Sequence, residues 1–143
     1  EPEIIKIGVE AAETAALSNG TPGIMQGMKT YMLQTADGSK SLGGASLGAG
    51  IQYFSVGPQH SFLKDQGAVT YTSATDKEIL EAYKLIASTE GICSALEPMA
   101  GAAELIKQAK NKPKDYLICL NLCGTGEKDL NTIQEHIGKD FEW

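Results

Sequence analysis

The residue types best suited to chemistry gather near the carboxyl end of the chain. Residues 117–129 read Leu-Ile-Cys-Leu-Asn-Leu-Cys-Gly-Thr-Gly-Glu-Lys-Asp. The thiol of Cys123 stands directly before Gly124 and Gly126, and the carboxylates of Glu127 and Asp129 follow. The apolar run Tyr116–Leu122 in front has the composition of a buried strand, and Leu130, Ile133 and Ile137 behind it recur at helical spacing. Strand, glycine turn and helix would put Cys123 at the carboxyl end of a strand, where open α/β sheets bind ligands. The same glycines also suit a plain strand-to-helix turn that needs them for steric reasons alone.

A second cluster is Glu90-Gly91-Ile92-Cys93-Ser94-Ala95-Leu96-Glu97-Pro98. Here a helix ends at Gly91, a short extended piece crosses, and Glu97 precedes a proline suited to the first turn of the next helix. Other chemistry is excluded by spacing. Two histidines far apart in sequence give no zinc pattern. His60 reads as structural, because no carboxylate lies near it in sequence to orient it. Cys119 and Cys123, at i and i+4 on a strand, share a face but stand too far apart to bridge. Leu47-Gly-Ala-Gly-Ile-Gln-Tyr lacks the order of a dinucleotide fingerprint.

Composition narrows the classes further. The chain has 143 residues, 42% hydrophobic and 21% charged, enough for one domain or a large piece of one. Its net charge of −6 speaks against nucleic acid as a partner. All 12 basic residues are lysines, so bidentate arginine clamps on phosphate or carboxylate are not available. Three cysteines suit a reducing, cytoplasmic setting. No signal peptide and no apolar run of about 18 residues is present, so no membrane span is expected. The start at Glu1-Pro2, without an initiator methionine, points to a fragment.

These residues need elements to hold them. Ile4–Val9 reads as a strand ending in Glu10, and Ala11–Ala16 has helical composition. Ser18–Gly23 is turn chemistry, and the methionines of Met25–Thr35 read as adaptable core. Asp37–Gly50, with Gly38, Gly43, Gly44, Gly48 and Gly50, is either a linker or a loop whose backbone passes close to a ligand. Val56–His60 reads as a turn and Ser61–Gln66 as a short helix. Val69–Thr75 reads as a strand. Thr75 and Glu78 form a capping box for a helix burying Ile79, Leu80, Tyr83 and Ile86 or Ala87. A further helix is expected at Pro98–Lys110, with Ala102, Ala103, Leu105, Ile106 and Ala109 packed closely. The order β, loop, α, glycine loop, short α, β, α, extended, α, β, turn, α predicts an α/β protein. It implies a three-layer αβα arrangement with a mostly parallel sheet and no internal repeat.

Three segments together resemble the carboxy-terminal part of the tryptophan synthase β chain, a family of fold-type II pyridoxal-phosphate enzymes. The first runs from Gly20-Thr-Pro-Gly through Gly27-Met-Lys, Gln34-Thr-Ala-Asp-Gly and Gly48-Ala-Gly to Ser55-Val-Gly-Pro-Gln-His60. The second is Thr89-Glu-Gly-Ile92 with Ala95-Leu-Glu97, and the third Asn121-Leu-Cys-Gly-Thr-Gly-Glu-Lys-Asp129. The resemblance covers residues 1–143 as one carboxy-terminal segment.

It implies the following. Cys123 stands where the family usually has a serine bonded to the cofactor's pyridine nitrogen, with Gly124 beside it. Gly50 and Glu97 match positions lining the ring. The backbone carbonyls of Tyr53 and Ser55 match part of a site for a monovalent cation, Na or K. Gln52 matches an aspartate that moves on closure, and Met25 and Gln26 match residues lining an indole tunnel. The implied partners are the remainder of the same polypeptide, a second β chain in a homodimer, and the tryptophan synthase α subunit.

Departures matter too. The family's Schiff-base lysine, its acid–base glutamate and its phosphate loop lie upstream, so no catalytic residue is expected in this chain. Gln52 cannot form the salt bridge of an aspartate. Pro98-Met99-Ala100 replaces serine-serine-histidine, and the usual arginine is absent at Thr125. The expected function is therefore a piece of a lyase that makes L-tryptophan from L-serine and indole. The alternatives are a non-catalytic binding or assembly module of the same fold and a related serine or threonine deaminase.

Overall fold

The computed structural model describes residues Ile4–Gly138. The chain divides into two compact units, residues 1–46 with 51–73 and residues 47–50 with 74–143.

The first unit opens with β1 (Ile7–Ala11), followed by a 3₁₀ turn at Ala12–Thr14 and the short helix α1 (Ala16–Asn19). Helix amides in a first turn lack partners within the helix. Glu10 supplies one acceptor set: its carboxylate accepts from Leu17 N and Ser18 N, each at 2.8 Å. The carboxylate at the end of the first apolar run is thus a local cap.

Residues 21–32, where no strand is expected from sequence, form a hairpin of β2 (Thr21–Met25) and β3 (Met28–Met32). The pairing is antiparallel, from Thr21↔Met32 to Met25↔Met28. Gln26 and Gly27 make the two-residue turn with φ of 51° and 78°, the sign that matches the twist of paired strands. Helix α2 (Pro58–Asp65) starts on a proline, where a missing N–H costs nothing. It is tied to the hairpin by Ser61 Oγ, which accepts from Tyr31 N at 3.1 Å and shares a hydrogen bond with Thr30 Oγ1 at 2.9 Å. Strand β4 (Thr70–Ala74) neighbours β1 in a two-stranded sheet.

Among the described residues, the second unit is built on three α-helices and a 3₁₀ turn at Gly126–Asp129. Helix α3 (Asp76–Glu90) carries the expected capping box, with Glu78 N donating to Thr75 Oγ1 at 3.3 Å and Thr75 N to Glu78 Oε2 at 2.8 Å. It ends at Gly91 in the left-handed conformation, φ 67°, as a glycine C-cap should. The hydrogen bond from Lys107, above all, holds the Glu78 carboxyl below its ordinary pKa. Thr75→Ala is expected to cost about 1 kcal/mol in urea unfolding, and Thr75→Ser to cost little.

Helix α4 spans Leu96–Ala109, beginning two residues before the expected start, and α5 spans Leu130–Ile137 as expected. The core of this unit holds Ile79, Tyr83, Leu96, Met99 and Ile133, all fully buried. Leu80, Ile86 and Ala87 are only half-buried, and Ala109 is exposed. On α4, Ala102 and Ala103 are buried as expected, together with Leu96, Met99 and Ala100, while Leu105 and Ile106 are half-buried.

The α/β class agrees with the sequence reading. One element does not. Tyr116–Leu122 forms no strand, and Leu117 is 94% exposed. A strand interior to a parallel sheet needs hydrogen-bonded neighbours on both sides, and among the described residues none pairs with this segment. No helix among the described residues is long and apolar enough to cross a membrane.

Candidate functional site

Four of the residues singled out by sequence, Gly50, Glu97, Cys123 and Gly124, belong to the second unit. Gly50 ends the stretch 47–50, and two further stretches hold Glu97 and Gly124, with Cys123 directly before the second. The segment 93–97 leads into α4, and the segment 124–129 leads into α5. The two are joined rung by rung. Ser94 and Thr125 form an antiparallel bridge, and Gly126 N donates to Cys93 O at 3.0 Å. Leu96 N donates to Asp129 Oδ2 at 2.9 Å. Lys128 Nζ reaches Glu97 Oε1 and Oε2 at 2.9 and 2.8 Å and Asp129 Oδ1 and Oδ2 at 2.9 and 2.8 Å.

Gly124 must be glycine for two reasons. Its φ of +74° is in the left-handed region, and a Cβ there would stand 2.9 Å from the Cβ of Ala95. The turn therefore lies flat against the start of α4. Cys123 stands just before it, exposed, with a free thiol. Glycine at residue 50 has another cause: its amide donates to Glu97 Oε1 at 2.9 Å, and a Cβ would lie 2.8 Å from that oxygen. The glycine-rich segment ends, then, as a backbone that approaches a carboxylate closely.

Burial works against the charge on Glu97. The hydrogen bonds from Lys128 and from the amides of Glu97 itself and Gly50 outweigh it, and the carboxyl lies below its ordinary pKa. Burial likewise works against the charge on Lys128, but Asp129 and Glu97 more than offset it and hold the ammonium above its usual range. The site thus combines an exposed thiol, a clamped anion and a fixed cation.

The other candidates lie in the first unit. Met25 is half-buried at the end of β2, and Gln26 is exposed in the hairpin turn. Gln52 is exposed and its amide donates to Ser46 O at 2.5 Å. Ser55 bridges Met32. Leu33 N donates to Phe54 O at 2.7 Å and Val56 N to Tyr31 O at 3.4 Å. In such a wide antiparallel pair the C=O of residue 55 points away from β3. Tyr53 is largely exposed. His60 Nδ1 meets Tyr71 Oη at 3.0 Å, and among the described residues no carboxylate is bonded to it.

Lys128 and Asp129 were not assigned roles from sequence, although both lie within the third matching segment. The available signal was a pair of opposite charges directly after a glycine turn. Their partners, 31 and 33 residues earlier, become visible only in three dimensions.

Comparison with known proteins gives first a likeness of fold and then one of sequence. The crystal structure of a mutant O-ureido-L-serine synthase with bound O-ureido-L-serine superposes with a TM-score of 0.62 at 15% identity, over 98% of this chain and 36% of that one. At that identity the likeness shows a shared fold. No family model matches the chain. Among curated proteins, the tryptophan synthase β chain of Cereibacter sphaeroides is 42% identical over 99% of this chain. That of Dinoroseobacter shibae is 42% identical over 99%, and that of Ruegeria pomeroyi 44% over 94%. The chain spans 37%, 36% and 34% of their respective lengths. Over that share, the chain is similar in sequence to tryptophan synthase β chains.

Proposed function

We propose that this chain is the carboxy-terminal segment of a pyridoxal-phosphate-dependent lyase of the tryptophan synthase β type. The full-length protein would condense L-serine with indole to give L-tryptophan and water. The observation that carries the reading is the gathering of Gly50, Glu97, Cys123 and Gly124 in one unit, in a chain 42% identical to tryptophan synthase β chains.

The residues present fit one side of the cofactor. Gly124 and Gly50 leave the wall without side chains where a Cβ would meet Ala95 or Glu97, and the Cys123 thiol is exposed beside that wall. The cofactor's phosphate is assigned to the loop that the resemblance places upstream of this chain. When bound, pyridoxal phosphate supplies an electron sink for bond changes at the amino-acid substrate. Cys123 would meet the pyridine nitrogen without bringing the negative charge that a carboxylate brings. A ring not held protonated is a weaker sink, which favours elimination and replacement at the β carbon over transamination. Glu97 keeps its charge turned onto Gly50 and Lys128.

Lys128 is not the reactive amine in this reading. A nucleophilic lysine needs a neutral nitrogen, and Lys128 is held charged between two carboxylates. The Schiff-base lysine, the acid–base carboxylate and the phosphate loop are assigned to the rest of the polypeptide. The apolar, exposed Tyr116–Leu122 is read as a strand that pairs with that remainder. Finer features carried from the resemblance are a monovalent cation on the carbonyls of Tyr53 and Ser55, Gln52 at the closure position, and Met25 and Gln26 at the tunnel. They also include a β–β homodimer, an α-subunit partner and a cytoplasmic location. The outward C=O of Ser55 supports the cation assignment.

The non-catalytic alternative rested partly on Met99 and Ala100. Both are buried in the core face of α4, so helix packing accounts for them. Gln52 still favours it. The test is the full-length protein given L-serine and indole. Tryptophan formation with a change in the cofactor's absorbance is expected. No tryptophan and no spectral change would favour the non-catalytic module, and ammonia release from serine or threonine without indole would favour the deaminase.

Cys123 gives a sharper prediction. Cys123→Ser is expected to leave the cofactor's spectrum and the product ratio close to wild type. Cys123→Asp is expected to shift the absorbance maximum and to divert serine toward side products. An unchanged spectrum and product ratio in the aspartate variant would place Cys123 away from the ring.

A further inference from the structure

The Lys128 ammonium sits between two carboxylates that do different jobs. Asp129, 5% exposed, caps the first amide of α4 at Leu96. Glu97, one residue into that helix, holds the amide of Gly50. One continuous chain of hydrogen bonds results: Gly50 N to Glu97, Lys128 to Glu97, Lys128 to Asp129, and Leu96 N to Asp129. Without the cation, Glu97 and Asp129 would face each other as like charges close to a half-buried wall, which favours turning one of them out to water. Elsewhere on α4, Lys107 pairs with Glu78 of α3 and Gln108 donates to Glu104, both separate from this chain of bonds.

We propose that Lys128 is a positioning residue: its ammonium turns the Glu97 carboxylate onto the Gly50 amide and so fixes residues 47–50 at the start of α4. The inference rests on the reading of this wall as one side of a cofactor site for its consequence in catalysis, and on the hydrogen-bond geometry alone for the clamp itself. Lys128 need not touch the cofactor. It acts through Glu97, and what it controls is where the Gly50 backbone lies.

The experiment uses full-length protein and four variants: Lys128→Met, Lys128→Arg, Glu97→Gln, and the Lys128→Met/Glu97→Gln double variant. Two measurements are made. The first, without added cofactor, is amide hydrogen exchange in the peptide containing Gly50. The second is kcat and KM for L-serine with cofactor bound. Lys128→Met is expected to speed exchange at Gly50 by about tenfold or more, as loss of a charge-assisted hydrogen bond should, and to lower kcat more than it changes KM. Lys128→Arg is expected to restore both. In the Glu97→Gln background, Lys128→Met is expected to add little, because its effect passes through Glu97.

Exchange at Gly50 unchanged in Lys128→Met would overturn the proposal. So would effects of the two single substitutions that simply add. If Lys128→Met fails to fold, Lys128→Gln takes its place: faster exchange at Gly50 than in wild type and Lys128→Arg supports the clamp, and equal exchange in all three refutes it. A full-length protein that binds no pyridoxal phosphate would overturn the cofactor reading, while the exchange result would still decide the role of Lys128.

Discussion

Asp129→Ala is expected to lower the free energy of unfolding of the full-length protein by about 2–4 kcal/mol in urea. Helix α4 has alanine at its N-cap, with no side-chain cap bond of its own. Its first amide, on the fully buried Leu96, is satisfied by Asp129 from 33 residues away. Truncation leaves that donor without a partner, at a cost of about 1–3 kcal/mol, and removes one of the two carboxylates that neutralise Lys128. Surface ion pairs seldom contribute more than about 1 kcal/mol. The expected loss therefore comes from the buried cap as well as from the charge. Asp129→Asn separates the two contributions. It keeps an acceptor for Leu96 N and gives up the charge, and about half the loss is expected. An alanine variant within about 0.5 kcal/mol of wild type would mean that α4 does not depend on this cap.

Gly124→Ala is expected to cost about 2–4 kcal/mol by the same measurement, and to weaken cofactor binding in the full-length protein. Two physical contributions add. A left-handed residue with a side chain costs about 1–2 kcal/mol, and the new methyl would stand 2.9 Å from the Cβ of Ala95, an overlap that costs about 1–3 kcal/mol in a packed site. The second part can be removed alone. Combining Gly124→Ala with Ala95→Gly takes away the overlap and leaves the backbone strain, so part of the loss should return. If the double variant is as unstable as the two losses summed, the turn is not seated on Ala95.

Local chemistry made much of this fold legible from sequence. The capping box at Thr75 and Glu78, the glycine stop at Gly91 and the helix Leu130–Ile137 are short-range signals, and each element is in place. Two kinds of feature escaped. The hairpin at residues 21–32 was obscured by Pro22 and the turn-rich Ser18–Gly23, and its own turn uses Gln26, a residue uncommon at positive φ. Tyr116–Leu122 shows the reverse error, because apolar composition suggests a strand but cannot supply the neighbours a strand pairs with. For the site, Gly50, Glu97 and Gly124 were marked in advance, and the contacts that explain the glycines are geometric. Lys128 and Asp129 escaped because adjacent charges usually denote a solvated surface. Their partners are a carboxylate and an amide about thirty residues earlier.

In the proposed site, Cys123 faces the pyridine nitrogen of pyridoxal phosphate. The measurement that addresses it most directly is the ¹⁵N resonance of ring-labelled pyridoxal phosphate bound to the full-length protein, compared with its Cys123→Asp variant. A ring nitrogen without a proton in the wild type, and a large shift to the protonated position in the aspartate variant, is the expected result. The same resonance in both proteins would contradict the account.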